Sequence, residues 1–181
     1  MELFTKMLGI CVVVLTLIGC SASGQSSPET GASGAVGTPA ASHTLTREGD
    51  KLVDTDLGAD VFDGSGLKIT IDITAKTARI QLVDPNSGQD FSDYYVFDYN
   101  NQTMVNHRFV SMRQMEYDYT LDLTSGELVA VIDGEGNDAI ETLRKMGRFD
   151  KAQSDRAQER TDLEAWFQER YGVTIREAAA A

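Results

Sequence analysis

The sequence predicts an α+β domain: an antiparallel β-meander of about six strands followed by two C-terminal helices packed on one face. Three observations predict it. Apolar residues recur at every second position between Leu67 and Asp133, they recur at helical spacing after Ile140, and turn-forming residues separate the runs.

The strands come first. Leu67, Ile69, Ile71 and Ile73 alternate with Lys68, Thr70, Asp72 and Thr74. Met115, Tyr117, Tyr119, Leu121 and Leu123 alternate with Glu116, Asp118, Thr120 and Asp122. Such runs have one packed face and one wet face. Segments 78–83, 94–99, 104–110 and 127–132 complete the six. In 94–99 the pleat sets Tyr95, Phe97 and Tyr99 against Tyr94, Val96 and Asp98, so aromatics fall on both faces. Between strands lie Asp84-Pro85-Asn86-Ser87-Gly88, Asn100-Asn101 and Thr124-Ser125-Gly126. Asn100-Asn101 reads as a two-residue type I′ loop, because Asn tolerates positive φ. Links this short favour antiparallel neighbours, hence a meander.

The helices follow. Asp138 and Glu141 have capping-box spacing, Ile140, Leu143 and Met146 share a face, and Gly147 ends the segment. A second helix is expected from about Asp150 or Ser154 to Tyr171, stopped by Gly172. Its apolar stripe (Leu163, Trp166, Phe167, Tyr171) is confined to the C-terminal half. The domain is expected to span 51–176, with residues 177–181 frayed.

Charge is uneven along the chain. The net charge is -12, yet residues 51–138 hold 6 Lys and Arg against 16 Asp and Glu, while residues 139–181 hold 8 of each. A field of that sign repels phosphate backbones, so nucleic acid is not an expected partner. Both cysteines, Cys11 and Cys20, precede the domain, which therefore offers no thiol for catalysis or for zinc.

The N-terminus carries the clearest address. Leu8 to Ile18 is an apolar run of 11 residues. As a helix it spans about 16 Å, short of the roughly 30 Å hydrocarbon core, which suits an export signal and not a lasting span. Leu17-Ile18-Gly19-Cys20 closes it. That tetrad resembles the lipobox of bacterial lipoproteins, with a weak n-region in which Glu2 opposes Lys6. The resemblance implies that residues 1–19 are a cleaved signal peptide and that Cys20 receives diacylglycerol on its sulfur. The mature chain would then have 162 residues. Two acyl chains give stable anchoring. Ser21 stands where the family's inner-membrane retention signal has Asp, so the outer membrane is implied if the host has two membranes.

Residues 20–50 are expected to be a disordered tether. From Ser21 to Ser42, 19 of 22 residues are Ser, Gly, Ala, Thr or Pro. About 30 such residues reach roughly 30 Å on average and about 100 Å at full extension, holding a domain off the membrane on its extracytoplasmic side.

Chemical motifs are sparse. Asp54, Asp56, Asp60 and Asp63 are the weak metal candidates, as alternate carboxylates on a glycine-containing loop suit calcium. Counted from Asp54, however, Ala59 stands where an EF-hand loop needs Gly and Ser65 where it needs Glu. Asp133-Gly134-Glu135-Gly136-Asn137-Asp138 departs similarly, so no cofactor is expected. Ser65 and Lys68 match Ser-x-x-Lys by chance, because a strand follows instead of a helix. His43 falls in the tether, and His107 reads as a packed or edge histidine on a strand. No catalytic residue is nominated. The expectation is a non-enzymatic envelope module that binds a protein or small ligand. The alternative is a small carboxylate-dependent hydrolase acting on cell-wall or glycan substrate. The aromatic group Phe91, Tyr94, Tyr95, Phe97, Tyr99, Phe109, Tyr117 and Tyr119 offers either core or a recognition platform.

Overall fold

A computed structural model describes residues 43–62 and 64–181; the signal segment, Cys20, the linker to residue 42 and Asp63 lie outside the described residues. Eight strands form one sheet in sequence order: β1 (Thr46–Glu48), β2 (Lys51–Asp56), β3 (Gly66–Asp72), β4 (Thr77–Val83), β5 (Asp90–Asp98), β6 (Thr103–Val110), β7 (Met115–Asp122) and β8 (Leu128–Asp133). Every neighbouring pair is antiparallel, the meander that the short links predict. Three helices follow, α1 (Ile140–Lys145), α2 (Phe149–Tyr171) and α3 (Ile175–Ala179). Among the described residues, no helix is long and apolar enough to cross a membrane.

The predicted six strands correspond to β3 through β8. Two more, β1 and β2, lie where a linker and an acidic loop were expected. Gly49 and Asp50 join them, with Gly49 at φ 62° in the first loop position, where a type II′ hairpin requires a positive φ. On β2, register sets Leu52, Asp54 and Asp56 opposite Ile71, Ile69 and Leu67. Two of its three core-facing positions are thus carboxylates, which erases the alternating apolar pattern that marks the other strands.

Register also explains the core. One row across the sheet runs Ile69, Ile80, Tyr95, Asn106, Tyr119, Val131, and the next runs Ile71, Ala78, Phe97, Met104, Leu121, Leu128. Most of these side chains are buried in one cluster with Leu163, Phe167 and Tyr171 of α2 and Ile175, Ala178 and Ala179 of α3. Tyr95 and Phe97 face inward while Tyr94 and Val96 face outward, as the pleat predicts.

Several local expectations need correction. The Asn100-Asn101 loop is not type I′: the positive φ belongs to Gln102, at 53°. Asp98 Oδ1 accepts the backbone N–H groups of Asn100 and Asn101, both at 3.0 Å, which fixes an Asx turn instead. The device recurs. Asp84 accepts from Asn86 and Ser87, and Asp122 from Thr124 and Ser125, with Gly88 and Gly126 left-handed four residues after each Asp. Asp72 accepts from Ala75, and Lys76 takes the left-handed place. Much of the domain's acidity is therefore turn scaffolding.

At α1, Asp138 accepts from the Ile140 N–H at 2.8 Å, but Glu141 pairs with Arg144 and no capping box forms. Helix α3 runs to Ala179, into the segment expected to be a tail. Thr174 and Glu177 make a reciprocal capping box, and Ile175, Ala178 and Ala179 are buried. Gly172, at φ 73°, ends α2 as the sequence predicts.

Candidate functional site

Of the predicted acidic loop, Asp54, Asp56 and Asp60 are described, and they lie on different parts of the chain path. Asp54 and Asp56 belong to β2 and face the C-terminal end of α2. Asp54 Oδ2 accepts from the Tyr171 hydroxyl at 2.8 Å and lies 3.2 Å from His43 Nδ1, while Arg170 Nη2 lies 2.6 Å from Asp56 Oδ2. Burial alone would raise the Asp54 pKa, but hydrogen bonds from Tyr171 and His43 hold it below the ordinary aspartate range. Asp60 sits beyond the strand at φ 49°. Among the described residues, no group of three or more His, Cys, Asp or Glu is arranged to hold a metal ion. His43 is likewise not a free tether residue: its N–H donates to the Arg170 carbonyl at 3.1 Å, so the fold includes residues before 51.

A second polar cluster, which sequence reasoning missed, lies under the N-terminal half of α2. Arg156 and Glu159 sit one turn apart on its inner side, 2.7 Å from each other, and each side chain is only 12–15% exposed. Glu159 also accepts from the Tyr95 hydroxyl at 3.0 Å, and Arg156 donates to Asn106 Oδ1 at 2.8 Å. Arg108, two positions along β6 from Asn106, bridges Asp93 at 3.2 Å and Glu159 at 3.8 Å. Burial pushes the Glu159 carboxyl up, opposed by Arg156, Arg108 and the Tyr95 hydrogen bond. Desolvation likewise pushes the Tyr95 hydroxyl far above its ordinary value. Two buried polar atoms of the cluster, Asn106 Nδ2 and Arg156 Nε, have no protein partner among the described residues. Asp93 and Glu159, both paired with the guanidinium between them, form an ion network and not an open acid pair.

Beside this cluster a cleft of about 350 Å³ opens between α1, the start of α2 and the ends of β6 and β7. Tyr117, Tyr119, Leu143 and Met146 give it apolar walls. Arg113, Arg148 and Lys151 line it as well, against one acid, Asp155. Lys151 binds Asp155 at 2.8 Å, whereas Arg113 and Arg148 have no ion pair among the described residues. Tyr119 joins cleft to cluster, since the Arg156 guanidinium lies 5.1 Å from its ring centre.

The opposite sheet face carries a different row. Gln81, Tyr94, His107 and Asp118 are successive register partners across β4 to β7. Arg79 stacks 3.5 Å over the Tyr94 ring, Tyr94 stacks on His107 at 4.6 Å, and His107 Nδ1 lies 2.7 Å from Asp118 Oδ1. His107 is a packed histidine, held on both sides. The predicted aromatic group thus divides. Tyr95, Phe97 and Tyr117 are buried, Tyr99 and Tyr119 pack partly buried against the core, Tyr94 lies on the outer face, and Phe91 and Phe109 are exposed.

Comparisons of the chain with known protein families, with curated proteins and with solved structures each return no match. Function is accordingly argued from this geometry.

Proposed function

We propose that the chain is a lipoprotein of the cell envelope, anchored through Cys20, that presents its domain on the extracytoplasmic side as a non-enzymatic binding module. The lipobox-like tetrad supports the address. One observation supports the binding role: in an acidic chain, the cleft beside α1 combines an apolar and aromatic lining with two arginines that have no ion-pair partner among the described residues. Small-molecule sites combine apolar lining with a few convergent polar groups in this way. The partner is a small ligand, or part of an envelope protein, that enters this cleft.

Two measurements test the reading. Intact-mass analysis of the natural protein should find residue 20 as an acylated N-terminus, and Cys20→Ala should leave the chain uncut or free of the membrane. A bare Cys20 in the mature protein overturns the anchor. A photo-crosslinking amino acid placed at Met146 should form adducts in intact cells that the same group at Lys68, on the opposite face, does not form. Equal adducts at both positions would remove the cleft from the argument.

A further inference from the structure

The lining of the cleft beside α1 narrows the kind of ligand it can hold. Its volume of about 350 Å³ lies at the small end of ligand sites, which run from about 300 to 1,000 Å³. A folded protein partner would instead need roughly 800 Å² of its own surface to make a stable contact. The walls suit a flexible apolar chain. Leu143 and Tyr119 are half-buried, Met146 is 42% exposed, and the buried Tyr117 closes the floor from β7.

Charge then chooses the head group. Three cations and one acid line the cleft, in a chain whose net charge is -12. Asp155 already holds Lys151, and the Tyr117 hydroxyl, which Arg113 Nη1 approaches at 3.4 Å, carries no charge. Arg113 and Arg148 are therefore the lining cations without an ion pair among the described residues. Guanidinium forks match the two oxygens of a carboxylate.

We infer that the cleft binds a long-chain carboxylate, with its acyl chain against Tyr117, Tyr119, Leu143 and Met146 and its head group between Arg113 and Arg148. The inference rests on the cleft being the binding site, as proposed above, and adds the chemical class of the ligand.

The test uses the full chain in isolated membranes and a palmitate analogue carrying a photoreactive diazirine and an alkyne. Ultraviolet-dependent label should map to peptides holding Leu143 to Arg148 and Tyr117 to Tyr119, distinct from metabolic label on Cys20. Arg148→Glu should lower the label about tenfold, the scale of one lost charge-assisted hydrogen bond. Ala152→Phe, which fills the cleft from α2, should abolish it while circular dichroism stays unchanged. A diazirine probe with the same chain and a trimethylammonium head should label weakly. Equal labelling by both probes overturns the carboxylate assignment, and label spread over the outer face overturns the site. Adducts at Met146 in cells without palmitate labelling would defeat this inference and leave the binding module standing.

Discussion

The two halves of α2 cover the same sheet by different chemistry. The C-terminal half lays Leu163 and Phe167, both fully buried, and Tyr171 into the core, and its end reaches β2 through Arg170 and Tyr171. The N-terminal half sets Arg156 and Glu159 over Tyr95, Asn106 and Tyr119 and ties them to Arg108. Apolar packing is non-directional and tolerates small shifts, whereas a buried ion network works only when each member is present. One turn before the network, Lys151, Ala152 and Asp155 of the same half line the cleft. The polar half thus builds the candidate site, and the apolar half holds the domain.

That contrast can be broken from either side. The largest effect should come from Phe167→Ala, about 3–5 kcal/mol of stability lost, read as a lower urea midpoint. Glu159→Ala should cost about 2–3 kcal/mol. This lies below the roughly 3–5 typical of a broken buried ion pair, because Arg108 keeps 31% of its side chain exposed. Replacing Arg108, Arg156 and Glu159 together by Met, Met and Leu should recover most of that loss. Failure to recover would show that the network holds the fold in a way apolar packing cannot.

Tyr171→Phe should cost about 1–2 kcal/mol, since it removes a hydroxyl donor to a carboxylate, and should speed amide exchange at His43. The smallest effect lies far from α2, in the turns. Backbone hydrogen bonds hold Asp84, Asp98 and Asp122 below the ordinary aspartate range. A folded pKa below the unfolded one contributes stability above the unfolded value and loses it as pH falls through the folded value. The urea midpoint should accordingly drop on acidification below the ordinary aspartate range, and less steeply for Asp122→Asn.

Legibility followed pattern. β3 to β8 showed in the sequence because their inner faces are apolar and their outer faces polar. β2 did not, because Asp54 and Asp56 occupy its inner face, balanced by residues more than a hundred positions later. Two local signals were present: Gly49-Asp50 between β1 and β2, and Thr174 three residues before Glu177. The cluster at Arg156 and Glu159 left no local signal at all. On a helix face, an Arg and a Glu one turn apart read as a solvated pair, and nothing nearby says that Asn106 and Arg108 face them.

By itself the sequence determined the meander and the end of α2 at Gly172, because periodicity and turn chemistry are local. Only the tertiary structure decided where Asp54 and Asp56 point, that Ala178 and Ala179 are core, and that Arg113 and Arg148 line one cleft. Those outcomes depend on which distant elements meet, and a partner that neutralises a charge from far along the chain leaves no periodic trace.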